Sequence, residues 1–256
     1  NQISFDDFVI LLEESLDLKL DVIRTDSYKL TDLKPMFGHV FAEMIDSYDY
    51  WGWGDLDVIY GDLDEHFSQQ LGKFDVISCH TYLLSGHLTI LRNNRTLRSL
   101  FSCFENWRDI IALPTHQSFD ENMMSMLFFR DHPDRRAFYN APLFLPTIVV
   151  NGDEISAHFS ERYSTFNQPR LLPNGKMGTV DEWYWQNGKL TSDAMENMPH
   201  AYAHFSNWNT GRYASDRSRR TPWTKGGMQI GDGLLAPYDK FRINSDGFFK
   251  LQDNHE

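Results

Sequence analysis

The chain has 256 residues, 41% of them hydrophobic and 23% charged, with 36 acidic against 24 basic side chains and a formal net charge of −12. Such a chain is globular and long enough to bury a core, as one large domain or two small ones. The acidic balance excludes broad nucleic-acid binding, which needs a basic surface, and no apolar run reaches the ~20 residues of a membrane-spanning helix.

In chain order, Ser4 followed by Asp7 reads as an N-cap opening a helix to Leu16. Phe5, Phe8, Val9, Leu12 and Leu16 share its apolar face. A second helix is expected from Pro35, a good first-turn residue, with Phe37, Val40, Phe41, Met44 and Ile45 at helical spacing. Tyr48 to Gly54 is aromatic and glycine-punctuated, and Asp55 to Tyr60 ends in β-branched residues. Strands are expected at Phe74 to Cys79 and Leu88 to Leu91, and helices at Arg95 to Phe104 and Asp120 to Phe129. This alternation favours an α/β fold. Beyond residue 130 Pro, Gly and Asn become frequent. Asn187-Gly188, between aromatic and aliphatic residues, marks a hairpin. Ala201 to Phe205 reads as a short strand, and Asn207 onward as mostly loop. Cys79 and Cys103 are too few for a disulfide framework, and both read as reduced core thiols. Aromatic residues reach 14%, which serves either a heavy core or sugar-stacking surfaces. Trp51, Trp53, Trp183 and Trp185 are assigned mostly to the core.

Several residues have types and spacings that suit chemistry. Asp55-Leu56-Asp57 can hold a hard divalent cation that also grips a diphosphate. The triplet occurs twice among 25 aspartates, again at Asp62-Leu63-Asp64, so alone it reads as a solvated turn and its surroundings must supply the weight. His204 suits a third ligand to Mn²⁺, or a hydrogen-bonded histidine at a strand end. Asp120 and Glu121 suit a general base, or ordinary acids at a helix N-terminus. Lys34, at a helix start, and the basic stretch Arg212, Arg217, Arg219, Arg220 and Lys225 suit phosphate. Ser85-Gly86-His87 is small enough to let a sugar approach the backbone.

Two stretches placed together, Tyr28 to Gly38 with its Lys34-Pro35-x-x-Gly38 and Tyr48 to Asp62 with its Asp55-Leu56-Asp57, resemble a family of bacterial glycosyltransferases of surface polysaccharide synthesis. Ser85 to Asn93 continues the similarity, which covers residues 1 to 130 well. The order of motifs is also similar to the wider GT-A superfamily, to enzymes like glycogenin and the lipopolysaccharide galactosyltransferases. On that resemblance Asp55, Asp57 and His204 hold Mn²⁺ or Mg²⁺. Lys34, Asp55, Ser85, Gly86, His87, Arg212 and Lys225 bind the donor, and Asp120 and Glu121 are catalytic. Glu121 stands where those enzymes carry an amide, and Pro222-Trp223 lies further from His204 than their pattern has it.

The expectation is therefore an α/β, GT-A-like (Rossmann-like) mixed sheet flanked by helices, lacking the first βαβ unit, since the chain starts at Asn1 near the first helix of that fold. One catalytic domain spans 1–256, with a donor- and metal-binding core over 1–130 and a loop-rich acceptor side over 131–256. The resemblance implies a hexosyltransferase moving sugar from a nucleotide-sugar to a glycan or lipid-linked acceptor, cytoplasmic, in peripheral association with the inner face of the membrane. Two other readings stay open: a metal-dependent phosphoesterase or nucleotidyltransferase, and a non-catalytic carbohydrate-binding fragment.

Overall fold

The computed structural model describes residues 3–138, 141, 143–160, 165, 170–205, 229–230, 240–244 and 247–251. The chain divides into two compact units, residues 1–55 with 70–161, and residues 56–69 with 162–256. The change of texture at residue 130 thus falls inside the first unit. Strand pairing explains why: Asp153–Phe159 runs parallel to Val76–Ser78 and binds the later segment into the earlier sheet.

The first unit is built on a five-stranded mixed sheet in the order Tyr50–Gly54, Leu88–Arg92, Val76–Ser78, Asp153–Phe159, Thr147–Val150. Its only parallel pair is Val76–Ser78 with Asp153–Phe159; the other three are antiparallel. Alternation along Tyr50–Gly54 buries Trp51 and Trp53 and turns Gly52 outward. A Cβ on Gly52 would run into the Thr89 carbonyl oxygen, so the aromatic-glycine alternation is a packing requirement.

The first helix, Phe5–Leu16, forms as expected. Ser4 accepts from the Asp7 amide at 3.1 Å, and Val9, Leu12 and Leu16 are buried. Phe5 is exposed, at the mouth of the apolar stripe. The single helix expected from Pro35 is replaced by three pieces: a ten-residue 3₁₀ helix Ser27–Met36, then Phe37–Val40 and Ala42–Ile45. Met44, expected on the apolar face, is exposed. The cause is a threefold pattern that an α-helix would not align. Residues 30, 33 and 36 face the core, and residues 29, 32 and 35 are fully enclosed. Residues 28, 31 and 34 grade from exposed to buried. Gly38 then lies against the Trp51 ring, where no side chain fits.

The segment Asp120 to Phe129 also departs from a regular helix. A π-turn, Phe119–Met123, follows Ser118 in the left-handed conformation at φ 55°. Arg95 to Phe104 likewise breaks into Arg95–Arg98 and a 3₁₀ turn Leu100–Cys103. Cys79 is buried as expected, but Cys103, at the end of the 3₁₀ turn, is exposed.

The second unit holds a five-stranded sheet in the order Lys189–Thr191, Glu182–Gln186, Phe241–Asn244, Gly247–Lys250, Gln229–Ile230. The hairpin at Asn187-Gly188 is present, both residues at positive φ (52° and 81°), as a two-residue primed turn requires. In the region from Asn207 read as mostly loop, the described residues include the strands Gln229–Ile230, Phe241–Asn244 and Gly247–Lys250. Each is only two to four residues long, too short for a periodicity to show in the sequence. Val58–Tyr60 pairs with Tyr202–His204, which confirms the short strand at Ala201 to Phe205. Val180, Trp183, Leu190, Ala203, Phe205 and Ile243 form the core. Trp183 is fully buried and Trp185 stacks on Phe241 at 5.2 Å. Asp62-Leu63-Asp64, the second acidic triplet, is the capped start of a short helix: Asp62 accepts from the Glu65 amide at 2.8 Å.

Among the described residues, no helix is long and apolar enough to cross a membrane.

Candidate active site

The 3₁₀ helix delivers Lys34 to a buried position in the first unit. Its ammonium contacts the Asp55 carboxylate, donates to the Gly86 carbonyl at 2.9 Å, and lies 3.6 Å from Asp120 Oδ2. The Gly86 amide donates to Glu121 Oε1 at 3.0 Å. Residues from four separated segments therefore converge: Lys34, Asp55, Gly86, and Asp120 with Glu121. Asp55 and His87 also place a carboxylate oxygen and an imidazole nitrogen within 4.8 Å of each other.

Small size at Gly86 has a more specific reason than the one read from the sequence. A Cβ there would sit 2.8 Å from Glu121 Oε1 and 3.0 Å from Asp120 Oδ2. The two carboxylates fill the space a side chain would take. Ser85 is fully buried. Its carbonyl accepts from Trp53 Nε1 at 3.1 Å and Thr89 Oγ1 at 2.7 Å, and its hydroxyl accepts from the Leu88 amide at 3.2 Å. Ser85 thus fixes the bend that aims Gly86.

Asp120 is 3% exposed, and its Oδ1 has no hydrogen-bond partner among the described residues. Burial pushes its carboxyl up to about 7, and the Glu121 charge adds to the shift, against the opposing pull of Lys34. A buried carboxyl poised near neutrality can take or return a proton.

The loop that leads to these acids is clamped from beneath. Lys29 and Asp32 form an ion pair whose side chains are both fully buried, at 2.8 Å. Lys29 also donates to the carbonyls of Ile110 (3.3 Å) and Thr115 (3.1 Å). Asp32 accepts from the amides of Gln117 (2.8 Å) and Phe119 (2.9 Å), and His116 Nε2 lies 3.4 Å away. This capture of two amides holds Ser118 in its left-handed turn and starts the π-turn that presents Asp120 and Glu121. Single π-turns inside helical segments recur at functional sites. None of Lys29, Asp32, His116 or Tyr28 was singled out from the sequence. The available signal was the i, i+3 spacing of Lys29 and Asp32.

In the second unit His204 Nε2 lies 3.6 Å from Asp57 Oδ1, and the imidazole is buried. The strand pairing fixes this, since His204 sits opposite Val58. The expected ligand set is thus described as two pairs: Asp55 with His87 in the first unit, and Asp57 with His204 in the second. Arg212, Arg217, Arg219, Arg220, Pro222, Trp223 and Lys225 lie outside the described residues.

The motifs that meet at Lys34 all fall inside one family match. The chain belongs to the family of unknown function DUF6625, which matches residues 1–229. No curated protein and no solved structure matches it. The family match spans the stretches around Lys34, Asp55, Gly86, Asp120 and His204, and brings no activity with it.

Proposed function

We propose that this chain is a metal-dependent glycosyltransferase that takes a nucleotide-sugar donor and a glycan or lipid-linked acceptor, in surface polysaccharide synthesis on the cytoplasmic side of the membrane. The observation that carries the reading is the contact of Lys34 with Asp55, Gly86 and Asp120 in one cluster. The motif resemblance supports it, because these are the segments it singles out, and the first unit carries a sheet of mixed parallel and antiparallel strands.

In this reading Mn²⁺ or Mg²⁺ belongs to the Asp55-Leu56-Asp57 triplet. The fit rests on donor chemistry: carboxylate oxygen with imidazole nitrogen nearby, from His87 beside Asp55 and from His204 beside Asp57, suits Mn²⁺. When bound, the ion neutralises the departing diphosphate. Lys34 adds a fixed positive charge, and Arg212 and Lys225 are further phosphate partners. The bond from the anomeric carbon to the diphosphate oxygen breaks, with its electron pair leaving on the diphosphate. A bond from that carbon to the acceptor hydroxyl oxygen forms. The hydroxyl proton passes to Asp120 or Glu121.

A thermal-shift screen tests this. UDP and GDP are each added with and without Mn²⁺, with CMP, which carries no diphosphate, for comparison. One nucleotide raises the melting temperature only with Mn²⁺, and Asp57→Asn abolishes the rise. A rise that is independent of Mn²⁺, or none for any nucleotide on the folded chain, contradicts the assignment.

A further inference from the structure

We propose that Tyr28 is the stacking floor of a hexopyranose-binding subsite that opens above Lys34 and the Asp120–Glu121 carboxylates. The inference deepens the transferase reading and rests on it for the role of the bound sugar. It names the class of ligand that meets the surface end of the cluster.

A 3₁₀ helix has three residues per turn, so residues three apart stand in one column. Tyr28, Thr31 and Lys34 form such a column on Ser27–Met36. Its lower end is the buried Lys34 ammonium. Its upper end is Tyr28, 63% exposed, among the largest exposures of any aromatic residue in the first unit. The Tyr28 phenol lies within electrostatic reach of Lys34, Asp55, Asp120 and Glu121.

The ring is braced rather than loose. His116 meets it edge-on, with centroids 4.8 Å apart at 62°, and His116 is itself held beside Asp32. The Tyr28 amide donates to Asp26 Oδ1 at 3.0 Å, and Thr31 Oγ1 donates to the Tyr28 carbonyl at 2.8 Å. A fixed aromatic ring with its surface open is the usual partner for the apolar face of a pyranose.

Charge selects the class of ligand. Burial, and after it the charges of Glu121, Asp120 and Asp55, raise the pKa of the Tyr28 phenol against the opposing pull of the single Lys34 ammonium. That negative field disfavours an anion above Tyr28. It favours a neutral polyhydroxyl ligand, whose hydroxyl groups donate to carboxylates while its C–H face lies on the ring.

The test is saturation-transfer difference NMR on the full chain, in EDTA and without nucleotide. The probes are methyl β-D-galactopyranoside, methyl α-D-glucopyranoside and methyl α-D-mannopyranoside at millimolar concentration, with uridine for comparison. At least one glycoside shows transfer to its ring C–H protons. That signal falls at least fivefold in Tyr28→Ala and in Tyr28→Leu, and persists in Tyr28→Phe. Unchanged melting temperatures confirm that the exposed substitutions leave the fold intact. Absence of transfer to every glycoside, survival of the signal in Tyr28→Ala and Tyr28→Leu, or Tyr28-dependent transfer to uridine alone overturns the proposal. Because no metal or nucleotide is present, this outcome is separate from that of the nucleotide screen.

Discussion

The Lys34 ammonium donates to the carbonyl oxygen of Gly86 at 2.9 Å, and the amide of the same Gly86 donates to Glu121 at 3.0 Å. One glycine thus links a buried cation to a carboxylate 35 positions further along the chain. It can do so because no side chain stands between them.

Replacing that glycine separates site geometry from fold. In Gly86→Ala the new methyl lies against the ends of two carboxylate side chains, not against backbone. Those ends shift by a few tenths of an ångström. Donor turnover falls on the order of tenfold, less than the roughly hundredfold that a 1 Å misplacement of catalytic groups costs, while the melting temperature changes little. By contrast, Gly38→Ala meets the Trp51 ring and costs about 1–3 kcal/mol by overpacking. Urea unfolding of the two variants checks the contrast.

Lys34→Met keeps the bulk of the side chain and removes its charge. Loss of a preorganised positive group beside a leaving diphosphate lowers turnover by roughly 10²–10³. Steady-state assays at saturating donor, with Lys34→Arg alongside, measure it. Turnover within threefold of wild type would exclude Lys34 from the chemistry.

Asp120 gives stability a pH dependence of definite sign. Its carboxyl is raised from its ordinary value of 3.8 to about 7. The native state therefore keeps a proton that the unfolded chain releases. The associated stability is fully present below the ordinary value and is lost as pH rises through about 7. Asp120→Asn has no such loss. Its stability relative to wild type increases by on the order of 3 kcal/mol from pH 4 to pH 8. Urea unfolding in EDTA across that range reads it, and parallel curves would contradict the shift.

The Lys29–Asp32 pair is fully buried, so removing one partner strands a charge. Lys29→Met destabilises by about 3–5 kcal/mol. Asp32→Ala removes the acceptor for the Gln117 and Phe119 amides. Hydrogen exchange at those two amides then accelerates more than at the amides of Phe5–Leu16.

Local rules were legible where one short segment carried the whole signal. The cap and apolar stripe of Phe5–Leu16 and the Asn187-Gly188 turn needed no partner to be recognised. The triplet at Asp55 and the small residue at Gly86 were recognisable as motifs, and so were Asp120 and Glu121. The reason for Gly86 was not, because it depends on two carboxylates arriving from elsewhere. The 3₁₀ helix was hidden because the apolar periodicity begins only after Pro35, on the short α-helices Phe37–Val40 and Ala42–Ile45. What decides the matter is the burial of Lys29 and Asp32, residue types that ordinarily stand in solvent. The π-turn at Phe119–Met123 was invisible for the same reason, since Asp32 creates it across more than 80 residues of sequence. Tyr28 was overlooked because its relation to Lys34 exists only at three residues per turn.

The most direct test of the central claim is the identity of the products formed from a nucleotide-sugar. The full chain is incubated with the nucleotide-sugar whose base gives the Mn²⁺-dependent thermal shift, with and without EDTA, and the products are resolved by mass spectrometry. The account predicts a nucleoside diphosphate together with sugar released to water or moved to an added glycan, dependent on Mn²⁺ and diminished in Lys34→Met. A nucleoside monophosphate with sugar 1-phosphate would place the cleavage at a phosphorus–oxygen bond, and that result, or no Mn²⁺-dependent turnover of any nucleotide-sugar, would contradict it.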